Sequence, residues 1–222
     1  MLETGGFIKL SNLRTQDGRR YFDLALNGDR FAGLTSPLPG KFQVRNAAAA
    51  VAAAWLLSQE GLSVSRQAIV EGLRMARWPG RLEVIHSAPL VLLDGAHNPA
   101  AARELAGFVR EELAGRPLRL VYASMRDKAI SEITKILFPL AKEVYLTRPE
   151  QVRAAGPEEI MAAAHIEPGN AVIESVPARA VERACREAAA NEVVLVAGSL
   201  FLVGAIKQAL QEGKLAMDCR TE

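Results

Sequence analysis

Apolar runs alternate with helical segments along most of the chain. Strand-like runs are predicted from residue 82 onward, at residues 82–86, 90–93, 118–123, 143–147, 171–174 and 193–197. Helical patterns are predicted at residues 99–112, 130–137, 157–165, 177–190 and 199–211. The runs at 118–123 and 193–197 are nearly continuous in apolar character, which is typical of strands that helices cover on both faces. The pattern predicts the α/β fold class, with a mostly parallel, Rossmann-like sheet flanked by helices.

The first 36 residues are predicted to form a smaller β structure. Strand-like runs at residues 7–10 and 21–26 flank a turn signal at residues 16–18. A sheet of two or three strands is marginally stable without further cover. We therefore expect these strands to need a partner layer.

Two helices are predicted to follow those strands. Asn46 is expected to open an Ala-rich helix over residues 47–58, and Ser65 is expected to cap a second helix. Two or three strands and two helices make a poor domain by themselves. We expect residues 1–76 to be the last part of a larger domain and residues 77–222 to form a second domain.

Composition and charge exclude several classes of protein. Half of the residues are hydrophobic but only 5% are aromatic, so Ala, Val and Leu supply most of the core. The net charge of +2, from 27 basic and 25 acidic residues, argues against nucleic acid or an anionic membrane as a partner. Cys185 and Cys219 form no disulfide framework, which favours a reducing compartment. No signal segment and no apolar run of about 18 residues is evident, so we expect a cytoplasmic protein.

Residues 94–99, Asp-Gly-Ala-His-Asn-Pro, are the stretch most suggestive of chemistry. They follow an apolar run and precede a helical pattern, the position where ligand sites gather in open α/β sheets. Asp94 can accept hydrogen bonds from a ribose or orient a Lys, and His97 can bond a carboxylate or phosphate. Asn98 can cap a helix whose first turn favours an anion. From these residues alone, the alternative that Asp94 and Asn98 merely cap a turn stays open.

Residues 93–99 also resemble the signature of the folylpolyglutamate synthases and bifunctional dihydrofolate synthases, in the Mur ligase superfamily. Four more segments fall in the order and spacing of that family: residues 37–48, 78–83, 124–128 and 198–204. Five motifs in order are far more specific than any one alone. The resemblance implies a Mur ligase carboxy-terminal domain for residues 77–222 and a remnant of the central ATPase domain for residues 1–76.

The resemblance implies nucleotide contacts for three residues. Asn46 would contact the adenine through its amide, and Arg81 would reach the ATP phosphates with its planar cation. Asp94 would bind the ribose or order the groups around it. Two alternatives stay open from the residues themselves: Asn46 as a helix cap, and Arg81 as an ion-pair partner of Glu83.

The resemblance also implies residues for the reaction. His97 would face the acyl phosphate and the incoming glutamate, and Ser199 would hydrogen-bond that glutamate. Asp94 and Lys128 complete the catalytic candidates. The alternative for Ser199 is a purely structural role in a turn between strand and helix.

The activity implied by the resemblance is that of an ATP- and Mg²⁺-dependent ligase. It adds L-glutamate to folates through an acyl phosphate, and in bifunctional members also joins glutamate to dihydropteroate. The sequence contains no Gly-x-x-x-x-Gly-Lys-Ser/Thr loop. We therefore assign no metal ligand here, expect those ligands in another part of the ligase, and expect this chain to be inactive alone.

The expected partners are small molecules: folate, L-glutamate and ATP, with the full-length enzyme a monomer. Two other functions remain open. One is a fragment of a Mur-type ligase that acts on UDP-sugar peptides, and the other is a non-catalytic ligand-binding module.

Overall fold

The computed structural model describes residues 2–4, 7–167 and 169–217, so Cys219 lies outside the described residues. The chain divides into two units, Met1–Trp78 and Pro79–Glu222. Within the described ranges, no helix is both long and apolar enough to cross a bilayer.

The first unit is an antiparallel sheet with two helices. Its strands, in sheet order, are β1 (Leu2–Thr4), β2 (Ile8–Gln16), β3 (Arg19–Leu26) and β4 (Asp29–Ser36). The helices are α1 (Phe42–Gln59) and α2 (Arg66–Arg74). Asp17 and Gly18 join β2 to β3 with φ angles of 49° and 71°, the left-handed conformation that a two-residue hairpin turn requires. The turn predicted at residues 16–18 is confirmed.

One side of this sheet and residues of both helices, α1 and α2, form the core of the first unit. The buried residues are Leu10, Phe22, Leu24, Leu26, Phe31, Leu34, Val44, Ala47, Ala48, Val51, Ala52, Ile69 and Leu73. Ser65 caps α2 as predicted, because its side chain accepts a hydrogen bond from the Ala68 N–H.

The predicted start of α1 at Asn46 is wrong. Gly40 has a φ of 92°, and bonds of 3.1 Å from Gln43 N to Gly40 O and from Val44 N to Lys41 O close the first turn. The left-handed Gly40 thus turns the chain directly into the helix, which needs no side-chain cap. Asn46 lies inside α1, exposed, and donates to Gln43 Oε1 at 2.8 Å.

The second unit is a sheet of six strands covered by helices. The strands are β5 (Glu83–Ser87), β6 (Leu90–Leu93), β7 (Leu118–Tyr122), β8 (Glu143–Leu146), β9 (Val172–Ile173) and β10 (Val193–Ala197). The helices are α3 (Pro99–Glu112), α4 (Ile130–Leu137), α5 (Pro157–Ala164), α6 (Pro177–Glu187) and α7 (Leu200–Gln211). The sheet order is β5-β6-β10-β7-β8-β9, and β5 alone of these six is antiparallel to its neighbour. The predicted α/β class is confirmed.

The two faces of this sheet pack on different helices. One face buries residues of β6, β7, β8 and β10 against α6 and α7, among them Val121, Val196, Val181 and Ile206. Alternate residues point to the opposite face, where α3, α4 and α5 supply buried apolar side chains. Both faces are therefore apolar, as the nearly continuous runs predicted.

Several predicted boundaries shift by one to three residues. The helix predicted at residues 177–190 ends at Glu187, because Ala188 is already extended with a ψ of 136°. The strand predicted at residues 171–174 shrinks to the edge strand β9. Ser199, predicted as the first residue of the last helix, is its N-cap.

Candidate functional site

Three loops meet at the carboxyl edge of the parallel sheet in the second unit. They follow the neighbouring strands β6, β10 and β7, whose carboxyl ends lie at one edge because the strands are parallel. Asp94 N bonds Val196 O at 2.9 Å, and Ala123 N bonds Ala197 O at 3.4 Å, so the loops begin side by side. Helices α3 and α7 start from the same edge, which is the usual ligand position in such sheets.

Asp94 connects this edge to the segment that leads into β5. The carboxylate is 2% exposed, and it accepts bonds from Ala96 N at 2.9 Å and from Leu82 N at 3.0 Å. Gly95 N adds a bond of 2.8 Å to Gly80 O. Leu82 is buried with a φ of 47°, an uncommon conformation for a residue with a side chain. Asp94 and Gly95 together therefore hold the backbone on both sides of Arg81.

The pKa of the Asp94 side chain is shifted by its burial. Burial raises the pKa of this carboxyl above its ordinary value. The two backbone N–H bonds and the nearby Arg81 guanidinium oppose the rise without cancelling it. Arg81 itself is half-buried.

Two glycines allow the loops to approach each other. A Cβ on Gly95 would collide with the Leu200 side chain at the start of α7. Gly198 has a φ of 105°, and a Cβ there would collide with Ala123 O and the Tyr122 ring. Larger residues at these two positions would force the three loops apart.

His97 is oriented by its own loop. Its Nδ1 lies 2.8 Å from Gly95 O, and a carbonyl can only accept, so this hydrogen bond assigns the proton of the neutral ring to Nδ1. Nε2 then carries the lone pair. The next residue, Asn98, caps α3 by accepting from Ala101 N at 2.9 Å, which confirms the predicted cap.

Ser199 is buried at the start of α7. Its Oγ accepts a hydrogen bond from Phe201 N at 3.1 Å, so Ser199 has a structural role as the N-cap of α7. A hydroxyl that accepts one bond still has a hydrogen to donate. The capping role and a ligand contact are therefore compatible.

Lys128 lies at the end of the turn that follows β7. Its Nζ is 3.3 Å from Asp127 Oδ2, and its side chain is about one-third exposed. The structure thus gathers the predicted residues Arg81, Asp94, His97, Ser199 and Lys128 on one edge of the second unit. The remaining candidate, Asn46, belongs to the first unit.

Sequence reasoning missed the residues that connect this edge. The contact of Asp94 with Leu82 and that of Gly95 with Gly80 were not predicted, although residues 78–83 form one of the segments that resemble the family. The Tyr122 hydroxyl was also missed. It is buried, and no hydrogen-bond partner for it lies in the described part of the chain. Burial raises the pKa of Tyr122 to about 12, although the nearby Ser124 side chain acts in the opposite direction.

The charged groups at this edge suit an anion better than a metal ion. The first turns of α3 and α7 and the Arg81 guanidinium all favour negative charge. Across residues 2–4, 7–167 and 169–217 there is no group of three or more His, Cys, Asp or Glu side chains that could hold a metal ion.

Comparison with known proteins agrees with this architecture. Residues 80–200 match the family model described as Mur ligase, glutamate ligase domain. A probable bifunctional folylpolyglutamate synthase/dihydropteroate synthase of Halobacterium salinarum is 38% identical over 81% of this chain and 22% of its own length. The dihydrofolate synthase/folylpolyglutamate synthase of Bacillus subtilis is 29% identical over 82% of this chain and 42% of its own length. The chain thus spans less than half the length of these relatives.

Solved structures resemble the chain to a similar extent. FolC of E. coli, in complex with DHPP and ADP, has a TM-score of 0.79 at 27% identity and covers 95% of this chain with 47% of its own. The folylpolyglutamate synthase/dihydrofolate synthase of Yersinia pestis, complexed with AMPPNP and a Mn ion, has a TM-score of 0.76 at 29% identity. It covers 93% of this chain with 46% of its own.

Proposed function

Because the chain belongs to the family of Mur ligase glutamate ligase domains, we propose that it forms the glutamate-adding part of an ATP-dependent ligase that acts on folates. The observation that carries the proposal is the oriented His97 ring, whose Nε2 lone pair lies at the carboxyl edge of the sheet. The names and ligands of the relatives support the choice of folates and nucleotide.

His97 acts on the amine of the incoming L-glutamate in this proposal. The Nε2 lone pair accepts a hydrogen bond from the amine and takes a proton as the nitrogen attacks the activated folate carboxyl carbon. The carbonyl of Gly95 holds the ring in the required tautomer throughout. The new amide C–N bond forms while the activating phosphate leaves.

Ser199 and Lys128 hold the glutamate carboxylates. The Ser199 hydroxyl donates its hydrogen to one carboxylate while its oxygen keeps the cap of α7. The Lys128 ammonium attracts the other carboxylate from the turn after β7. These contacts select an amino acid with two carboxylates.

Arg81 contacts the phosphates of the nucleotide, and Asp94 orders the loop that presents Arg81. Both Asp94 oxygens already accept backbone N–H bonds, so we favour the ordering role over direct binding of the ribose. ATP, when bound, supplies the phosphoryl group that activates the folate carboxylate. We propose that Asn46 of the first unit contacts the adenine.

Mg²⁺ does not fit the residues of this edge, where cationic groups and helix N-termini predominate. We propose that its ligands belong to another part of the ligase. We also propose that dihydropteroate is a second acceptor, that the full-length enzyme is a cytoplasmic monomer, and that this chain alone does not turn over substrate.

Ligand titration followed by NMR tests the proposal. Millimolar L-glutamate should shift the backbone signals of residues 94–98 and 198–201 in a saturable manner. L-Aspartate, one methylene shorter, should bind more weakly because it cannot span the two carboxylate contacts. A coupled assay with tetrahydrofolate, L-glutamate, ATP and Mg²⁺ should release no ADP above background. Equal binding of L-glutamate and L-aspartate would contradict the two carboxylate contacts. ADP release by the isolated chain would contradict its expected lack of turnover.

A further inference from the structure

The turn that follows β7 is paired with the connection between β8 and α5. Ala155 N bonds Ser124 O at 2.9 Å and Arg126 N bonds Arg153 O at 2.9 Å, around a short antiparallel bridge between Met125 and Ala154. Met125 and Ala154 are both buried. This backbone pairing anchors the turn on its inner side.

A bidentate ion pair fastens the same turn on its outer side. Arg126 donates from Nε to Glu159 Oε1 and from Nη2 to Glu159 Oε2, both at 2.8 Å. A third bond runs from Arg126 Nη1 to Val152 O at 3.0 Å. Glu159 Oε2 also accepts from Gly156 N at 2.7 Å, so the pair connects the turn to the first residues of α5.

Lys128 is attached to this arrangement through Asp127. Asp127 Oδ2 lies 3.2 Å from Arg153 Nη1 and 3.3 Å from Lys128 Nζ. Lys128 N closes the turn by bonding Met125 O at 3.1 Å. A displacement of the turn would therefore move the Lys128 ammonium.

The ion pair is too exposed to be mainly a source of stability. The Arg126 and Glu159 side chains are 47% and 48% exposed, and exposed pairs contribute little to the free energy of unfolding. A bidentate pair nevertheless fixes the relative orientation and the distance of its two side chains more tightly than a single ion contact does. The bonds from Arg126 and then from Gly156 N lower the pKa of Glu159 to about 2, so the pair persists at neutral pH.

We propose that Arg126 and Glu159 are positioning residues that hold Lys128 at the carboxyl edge of the sheet. The identity of the ligand that Lys128 binds rests on the proposed function. The fastening of the turn is a property of the chain itself, so the two parts can fail separately.

Amide hydrogen exchange tests the fastening. Arg126→Gln should speed the exchange of the Arg126, Lys128 and Ala155 amides by at least about tenfold, because the turn opens locally. Leu120 and Leu195 in the central strands should change less than about twofold. The control is Arg183→Gln, which removes another exposed Arg–Glu pair, with Glu187, and should leave the turn unchanged. Unchanged exchange in Arg126→Gln would overturn the proposal.

L-Glutamate titration tests the link to Lys128. Arg126→Gln and Lys128→Gln should each weaken glutamate binding, by about threefold to tenfold for Arg126→Gln, and the double variant should bind no more weakly than Lys128→Gln. Arg126→Lys should restore only part of the affinity, because an ammonium cannot form the bidentate pair. Additive losses would overturn the positioning role. Faster exchange without glutamate binding by the unaltered chain would overturn the proposed function and leave the fastening of the turn standing.

Discussion

The two ends of the parallel sheet in the second unit use polar residues in opposite ways. At the amino end, the buried Arg119 of β7 donates to Glu192 Oε2 at 2.8 Å, to Tyr145 Oη at 2.6 Å and to Glu143. At the carboxyl end, His97 and Ser199 each bond a backbone group of their own loop.

The charges at the amino end neutralise each other. Lys142 Nζ lies 2.7 Å from Glu192 Oε1, the second oxygen of the carboxylate that Arg119 contacts. Burial alone would raise the pKa of Glu192, but the bonds from Lys142 and Arg119 outweigh it and lower that pKa below its ordinary value. Such a matched network stabilises the fold and leaves little charge for a ligand.

The carboxyl end keeps polar atoms available. The backbone bonds there orient His97 and Ser199 while leaving the imidazole Nε2 and the hydroxyl hydrogen for a ligand. Fully paired charged side chains at one end of the sheet thus indicate a role in stability, whereas side chains at the other end that are oriented by one bond and keep a second polar atom for a ligand indicate binding.

The largest expected effect comes from breaking the amino-end network. Arg119→Ala leaves the buried Glu192 and the partly exposed Glu143 without their shared cation and should lower the free energy of unfolding by about 3–5 kcal/mol. Urea unfolding measures the loss, with Arg74→Ala, which removes the exposed pair with Glu71, as control. L-Glutamate affinity of the folded fraction should not change. A loss below about 1 kcal/mol would show that the network is not a stability element.

A smaller loss of stability is expected from a substitution of Asp94, which orders the loops at the carboxyl end of the sheet. Asp94→Asn replaces two acceptor oxygens by one, so the N–H of either Leu82 or Ala96 loses its partner. The expected loss is about 2 kcal/mol in urea unfolding. Wild-type stability in this variant would mean that Asp94 does not hold the segment 80–82.

The difference in stability between wild type and Asp94→Asn should also depend on pH. Because the folded-state pKa of Asp94 is raised, the folded protein binds this proton more tightly than the unfolded chain does. The stability of wild type relative to Asp94→Asn should therefore fall as pH rises from the ordinary value of 3.8 through the raised pKa. Unfolding curves of both proteins across this range measure the difference, and a rise with pH would contradict it.

The smallest expected change is a gain of stability at the buried Tyr122. Tyr122→Phe removes a hydroxyl for which the described residues provide no hydrogen-bond partner and keeps the ring that packs edge-on against Phe138. Stability should rise by about 1 kcal/mol, because an unsatisfied buried hydroxyl is lost. Thermal unfolding measures it, with the surface-facing Tyr21→Phe as control. A clear loss would indicate that the hydroxyl has a partner such as bound water.

Much of the fold could be predicted from local pattern. The bounds of β6, β10, α3 and α4 match the prediction, because apolar runs and the Asn98–Pro99 cap are local signals. The start of α1 could not be predicted in this way, because Asn46, a residue type that often caps a helix, lies inside α1, and the turn at Gly40 decides where the helix begins.

Part of the candidate site could also be predicted from the sequence. The family resemblance identified residues 94–99, and the structure places Asp94 and His97 together there. The bond between Leu82 N and the Asp94 carboxylate joins residues 12 positions apart. The bond between Arg126 and Glu159 joins residues 33 positions apart. No local pattern of apolar and polar residues contains such contacts, because they depend on how the loops fold back.

L-Glutamate titration of His97→Gln, followed by NMR and by urea unfolding, tests whether ligand binds at the carboxyl end of the sheet. The variant should keep the wild-type free energy of unfolding within about 0.5 kcal/mol and lose the saturable shifts at residues 94–98 and 198–201. Wild-type glutamate affinity in His97→Gln would contradict the claim that the carboxyl end of the sheet is the binding end.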